Sequence, residues 1–365
     1  MQDIKRYPIF AKKNKMKKRI WIIIIVGSVL IALVFYLVFF IHKPPTDRKH
    51  EVKKTELAPI KEQLSVSVKR YEEDIFAIPL DSLSACIQRL YGHYPEELIQ
   101  KDVWLDREMM ESLKAYLKDQ VNQDIYKETM KIFPDLDEFT VQLENALTYY
   151  QYYYPETAIP NFYTFPGIDA YIPTVLFVNN NILIYLGMYL GADCKWYGKF
   201  DIPKYISERF DKKYLSIDCF KKALVYQHLP DKKNLTLLDY MIHEGKKLYF
   251  TELMFPNSPE QDIIGYNEEK FKWAEKYQYD VWNYIINHDE LFSKSDKVIG
   301  VYIDESPFTK VFQSNSPGRL GTFIGWQLIK SYMKNNPDVT LEQLMKNIDS
   351  QDILNKSRYK PIRKY

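Results

Sequence analysis

The stretch "RIWIIIIVGSVLIALVFYLVFFIHKPP" constrains this chain more than any other. From Ile20 to Ile41 every residue is apolar except Gly27, Ser28 and Tyr36. As a helix, this run rises roughly 33 Å, enough to cross a hydrocarbon core of about 30 Å. Lys12, Lys13, Lys15, Lys17, Lys18 and Arg19 stand just before it. A cluster of cations on one flank places that flank in the cytoplasm. The expectation is a cytoplasmic tail at 1–19, a single transmembrane helix at 20–41, and everything after it outside. A cleaved signal peptide has a shorter apolar core, about 7–15 residues, followed by small residues. Here the run ends in Phe39, Phe40 and Ile41, so it reads as an uncleaved anchor. Met16 opens "MKKRIW" and is an alternative start. No Cys lies near the end of the run, so a lipid anchor has no attachment point there.

The segment 42–70, "HKPPTDRKHEVKKTELAPIKEQLSVSVKR", carries three prolines, many charges and little periodicity. It reads as an extended linker. From Tyr71 to Tyr365 the pattern is globular, and the length suits a large core. The chain has 365 residues, 46% apolar and 27% charged, with 30 Tyr and 20 Phe against 12 Gly. That balance predicts a dense aromatic core with few flexible loops. A net charge of +2 gives no global field for nucleic acid. Cys86, Cys194 and Cys219 leave room for at most one bridge, and none forms a C-x-x-C pair.

Helical spacing appears in "DREMMESLKAYLKDQVNQDIYKETMKIF", with apolar residues at Met109, Leu113, Tyr116, Leu117 and Val121. A second helix, "DLDEFTVQLENALTYYQYYYP", ends at Pro155. Its tyrosines cover most of the circumference and predict packing against a sheet. The middle of the chain turns to β-branched and aromatic residues broken by Pro, Gly and Asn. It predicts two or three strands, one pair a hairpin around Asn179, Asn180 and Asn181. Helices follow to the end. The fold class is therefore α+β, mostly α, with a small mixed sheet.

"LLDYMIHEGKKLYF" holds the candidate chemistry. A zinc protease of the H-E-x-x-H type needs two His at i and i+4 on one helix face, with a Glu to activate the bound water. His243–Glu244 opens that motif, but position 247 is Lys. A cation stands where a ligand belongs. In one zincin class a later helix supplies a Glu as third ligand, in an E-G-x-A-x-Y-like setting. Glu244 and Gly245 resemble that element. The helix that should carry the His pair is "SIDCFKKALVYQHL", which has Asp218, Lys222 and His228 instead; Asp218 and Lys222 at i, i+4 make a salt bridge. No catalytic residue, metal ligand or cofactor is therefore expected. Glu72–Glu73 and Glu268–Glu269 are neighbours that point apart on a helix and read as solvated.

"SNSPGRLGTFIGWQLIKSYMKNNP" reads as a helix opened by Ser316 and Pro317. Gly318, Gly321 and Gly325 then share a face. Each glycine costs about 1 kcal/mol in a helix interior relative to Ala, so a close backbone neighbour is expected there. Arg319 falls in the first turn, where the helix dipole disfavours a cation. That points to a buried carboxylate or an anionic ligand as its partner. Phosphate loops and the G-x-S-x-G elbow are absent from the sequence.

Taken in order, "YYYPETAIPNFYTF", "LLDYMIHEGKKLYF", "DIIGYNEEKFKWAEKYQYDVWNYII", "SPFTKVF", "SPGRLGTFIGWQLIKSYMKNN" and "SQDILNKSRYKP" resemble the gliding-motility lipoprotein GldB family across Tyr71–Tyr365. The resemblance implies a cell-envelope protein linked to gliding motility and its protein-secretion machinery, on a zincin-like, non-catalytic domain. Envelope protein partners are expected, and the residues singled out above, His243, Glu244, Gly245, Gly318, Arg319, Gly321 and Gly325, are the candidate cleft or binding residues. Family members carry a lipidated Cys. This chain has an apolar run instead, which favours the inner membrane with the domain in the periplasm. The competing expectation is an active zinc-dependent peptidase or hydrolase with an atypical site.

Overall fold

The structure, a computed structural model, describes residues 52–230 and 235–363. The expected tail at 1–19, the apolar run at 20–41 and the start of the linker lie outside the described residues. Among the described residues no helix is long and apolar enough to cross a membrane.

The expected linker needs correction first. Its second half carries helix α1 (Lys54–Gln63) and strand β1 (Val68–Arg70), and the compact unit starts at Val52. Helix α1 buries no side chain, which is why no apolar period betrays it. Lys61 Nζ donates to Asn145 Oδ1 at 2.8 Å, and Val66 N–H donates to Glu144 at 3.3 Å. Strand β1 is too short to alternate visibly and is recognisable only by its partner strand.

The chain continues through α2 (Tyr71–Phe76), α3 (Leu83–Leu90), α4 (Arg107–Lys118), α5 (Gln120–Ile132) and α6 (Asp137–Tyr153). The 107–133 segment, which reads as one helix, is two. Asp119 adopts an extended ψ of 129° and accepts the N–H groups of Val121 and Asn122 at 2.9 and 3.0 Å, so it caps α5 and breaks the run. Met110 and Leu117 face the core, while Met109 and Tyr116 are exposed, contrary to the spacing reading.

Strands β2 (Asn161–Phe165), β3 (Val175–Val178) and β4 (Asn181–Tyr185) complete a mixed sheet in the order β1-β2-β4-β3. Three of its four strands come from the middle of the chain, within the expected two or three, and the fourth, β1, comes from the segment expected as linker. β1 and β4 both run parallel to β2, with Val68 opposite Phe162 and Phe162 opposite Ile182. β3 and β4 form the expected hairpin, turned by Asn179 and Asn180 at φ 47° and 59°. Both turn residues are left-handed, which suits Asn and matches the twist of a two-residue hairpin. Side chains alternate across the sheet. Phe162, Ile182 and Ile184 join the main core, while Tyr163 and Leu183 join a smaller core with Ile75, Leu83, Ile87 and Leu117. The sheet thus divides the helices of residues 71–118 from the C-terminal ones.

After the sheet come the short helices α7 (Lys195–Lys199), α8 (Lys204–Ser207) and α9 (Leu215–Asp218). Helix α9 runs directly into a π-turn at Cys219–Ala223 and a 3₁₀ turn at Leu224–Gln227. Helix α10 (Leu237–Met254) opens on a capping box: Thr236 Oγ1 accepts from Asp239 N–H, and Asp239 accepts from Thr236 N–H at 2.8 Å. Then follow α11 (Glu260–Ile264), α12 (Glu268–Asn287), α13 (Asp296–Ile303), α14 (Leu320–Asn335), α15 (Leu341–Lys346) and α16 (Ser350–Ser357). Helices α10 and α14 cross at the centre of the main core.

The aromatic residues fill that core, as composition predicts. The tyrosines of α6, however, pack on helices rather than the sheet. Tyr150 meets Phe220 and Phe250 edge to face at 6.1 Å and bonds His228 Nε2 at 2.9 Å. Cys86, Cys194 and Cys219 are all free thiols.

One further correction concerns Glu72. It is fully buried, not solvated, and Arg70 Nε reaches it at 2.7 Å. Thr164 Oγ1 on β2 donates to it at 2.9 Å. Burial raises its pKa and the Arg70 charge works against that rise. The pair links β1 to β2, a contact that exists only once the strands meet. Glu73 is the solvated member of the doublet.

Candidate functional site

Gly245 and Gly325 form the helix crossing. A Cβ on Gly325 would lie 1.8 Å from Met241 O, and one on Gly245 would lie 2.4 Å from Gly325 O. The two backbones touch, and only glycine permits this. The close neighbour expected of the glycine face is therefore real, but the three glycines do not share one. Gly321 abuts Tyr302 on α13, with 2.9 Å available to a Cβ. Gly318 abuts Ser306, whose O would lie 2.2 Å from a Cβ there, and it precedes the helix altogether. Helix α14 starts at Leu320, not at Ser316–Pro317, because Arg319 takes the left-handed conformation (φ 56°, ψ 35°) as its N-cap.

That turn aims Arg319 inward. Its Nη2 donates to Ile264 O at 2.9 Å, its Nε lies 3.2 Å from Glu305 Oε2, and its guanidinium stands 5.6 Å from the Tyr266 ring. The expectation of a carboxylate partner holds. Glu305 is shared, because Arg209 Nη1 reaches its other oxygen at 2.7 Å. Burial opposes the Glu305 charge, but Arg319 and Arg209 outweigh it and hold the carboxyl below its ordinary range. Gly265, at φ 79°, leaves room for Arg209, whose Cδ would lie 3.0 Å from a Cβ there. Around these groups lies a cavity of about 140 Å³, also bordered by Tyr205, Tyr214, Lys270 and Gly318.

Behind the arginines lies a second group of charges. Asp218 is buried, with Lys222 Nζ at 2.7 Å and Lys221 Nζ at 3.5 Å. Tyr189 donates to Asp218 Oδ2 at 2.9 Å and bonds Thr174 Oγ1 at 2.8 Å, and Lys222 donates to the same Thr174 oxygen at 2.9 Å. Burial disfavours the Asp218 charge, yet the two lysines more than offset it and lower its pKa. Lys221 is pushed down to about 8 by burial, with Asp218 resisting. The salt bridge expected at i, i+4 is present, across the π-turn.

On α10, Lys247 Nζ reaches Glu244 Oε2 at 2.8 Å and Tyr226 Oη at 2.9 Å. The residue that breaks the H-E-x-x-H motif thus caps the Glu. Arg319 feels the charges of Glu305, Glu244 and Asp218, so the two groups form one electrostatic layer. Among the described residues, no three His, Cys, Asp or Glu side chains gather closely enough to hold a metal ion. The donor set does not fit zinc: Asp218 and Glu244 each carry a lysine ammonium where a divalent cation would sit.

The seven residues expected to form one cleft therefore divide. Gly245, Gly321 and Gly325 are packing residues. Gly318 and Arg319 border the cavity. Glu244 belongs to the charged layer behind it, and His243 is half-buried on α10 and does not line the cavity. Arg209, Tyr266 and Glu305 were missed. The unusual Arg319 pointed to a carboxylate, but nothing in the local sequence singles out Glu305 among 48 acidic residues.

Comparison with curated proteins and with solved structures returns no match. The family model of gliding motility protein GldB, by contrast, matches residues 50–361, nearly the whole chain and all of the site. Its start at residue 50 agrees with a compact unit that begins at Val52 rather than at Tyr71. On that match, this chain belongs to the gliding motility protein GldB family.

Proposed function

We propose that the protein is a membrane-tethered component of the cell envelope that works with motility or protein-secretion machinery through protein contacts and not through catalysis. The family match over residues 50–361 carries the envelope role. The tether is the apolar run at 20–41, with the basic residues before it in the cytoplasm and the domain in the periplasm. The pairing of Asp218 with Lys222 and of Glu244 with Lys247 supports a non-catalytic centre. Both carboxylates, Asp218 and Glu244, are already paired with an ammonium at close range. The arrangement fits descent from a zincin whose ligand helix lost its histidines.

The test is complementation. Deleting the gene impairs export of surface proteins or gliding. The Glu244→Gln chain then restores the phenotype as well as wild type, because no base is lost. A folded Glu244→Gln protein that fails to rescue overturns the non-catalytic reading. The second reading, an atypical zinc hydrolase, rests on His243–Glu244 beside the π-turn, a feature often found at functional sites. It requires stoichiometric zinc in the purified full chain and cleavage in a peptide library, and both are expected to be absent.

A further inference from the structure

The two arginines of the cavity are buried more deeply than the carboxylate that joins them. Arg319 and Arg209 side chains are 12% and 20% exposed, while Glu305 is 42% exposed. Glu305 follows α13 on a surface loop and enters from the open side. Most N–H donors of the two guanidinium groups have no acceptor among the described residues beyond Glu305 and Ile264 O. Such forked donors match planar carboxylates.

Lys270 stands on the rim, its charge offset by Glu208 at 3.0 Å, and behind the arginines Lys221 and Lys222 share the single carboxylate of Asp218. Arg319 is held in left-handed backbone, a conformation that strains a non-glycine residue. Helix α14 is packed backbone to backbone against α10 at Gly325, and Ile264 O and Glu305 hold the guanidinium toward the cavity. Tyr266, which donates to Gly318 O, forms a rigid wall beside it. The cavity, about 140 Å³ and open on one side, has room for a carboxylate with its attached methylenes.

We propose that this cavity receives a carboxylate of an acidic partner peptide, and that Glu305 is the built-in group which the incoming carboxylate displaces. A carboxylate is chosen over a phosphate because Glu305 already spans both guanidinium groups with one planar group. The inference rests on the reading that the protein acts through protein contacts, and it gives that reading a chemical address. Glu305, on its loop, then acts as a competitor that keeps the arginines paired until a partner arrives.

The experiment titrates the full chain in detergent with acetyl-Gly-Glu-Gly-amide, acetyl-Gly-Gln-Gly-amide, acetyl-Gly-Gly-Gly with a free C-terminus, and inorganic phosphate. One of the two carboxylate peptides binds at least tenfold tighter than the Gln peptide, and which one tells a side chain from a chain terminus. Arg209→Gln and Arg319→Lys each weaken that binding at least tenfold, with thermal melting run alongside to show that the variants fold. Glu305→Gln strengthens it several-fold, whereas a purely structural Glu305 would leave affinity unchanged or reduced. A Gln peptide that binds as tightly as both carboxylate peptides, binding of phosphate alone, or no binding to wild type and Glu305→Gln overturns the proposal. An Arg209→Gln chain that binds no peptide yet rescues the deletion as well as wild type defeats this inference while leaving the contact-based function standing.

Discussion

The crossing of α10 and α14 and the charged cavity at the start of α14 are separated by less than two helical turns of sequence, yet they obey opposite rules. At the crossing, Gly245 and Gly325 remove side chains altogether and two backbones meet. At the cavity, Arg209, Glu305 and Arg319 place long charged side chains around open space. The first arrangement is intolerant because close-packed atoms have nowhere to go. The second is more tolerant because its side chains border open space instead of packed backbone. The lesson is that one helix serves both: α14 is packed backbone to backbone against α10 at Gly325, and its N-cap, Arg319, borders open space.

The contrast makes ordered predictions. The largest effect belongs to the crossing. Gly325→Ala puts a methyl 1.8 Å from Met241 O, and is expected to destabilise by about 4 kcal/mol or more, read as loss of soluble folded protein or a collapse of the melting temperature. A variant that melts like wild type would break the comparison outright. Next comes Arg319→Ala, which leaves Glu305 with one cation and Ile264 O without a donor, at about 2 kcal/mol. Arg319→Gly recovers about 1 kcal/mol of that, since glycine accepts the left-handed backbone without strain. If Gly and Ala behave alike in chemical denaturation, the strain argument is wrong.

A pH effect sharpens the boundary between dry core and wet cavity. His228 stacks on Tyr154 at 3.7 Å, and burial pushes its pKa down to about 4 from an ordinary 6.5. The unfolded chain therefore binds a proton below 6.5 that the folded chain refuses until about 4. Stability rises with pH across that window and is lost as pH falls through it. His228→Phe should flatten this acid limb when melting is followed from pH 7 to pH 4. The smallest effect is expected from Lys270→Ala on the cavity rim, within about 0.5 kcal/mol, because its single pair with Glu208 is partly exposed to solvent. A larger loss would mean that the rim is part of the rigid framework.

Much of this was legible in the sequence, and the reasons are local. The Asn179–Asn180 hairpin, the α+β class and the end of α6 at Pro155 follow from backbone preferences over a few residues. The failure of His243–Glu244 as a zinc pair follows from one residue, Lys247. The Asp218–Lys222 bridge follows from helical spacing, even though the turn between them is a π-turn. The misses share a different cause. Helix α1 has no buried side chain, β1 has three residues, and Glu72 is buried only because Thr164, nearly a hundred residues away, closes over it. The tyrosines of α6 chose Phe220 and Phe250 over the sheet, a choice that periodicity cannot express.

The sequence by itself determined that the C-terminal half needs close backbone packing at its glycines, that Arg319 needs an anionic partner, and that the metal motif is broken. These are statements about what a residue type tolerates, and they hold in any fold. Tertiary structure alone decided which partner each residue obtains. Gly245 meets Gly325, Gly318 meets Ser306, and Arg319 shares Glu305 with Arg209, because the crossing angle and position of α14 against α10 and α13 set those distances. Chemistry at a position is written locally, but proximity between distant positions is a property of the packed chain.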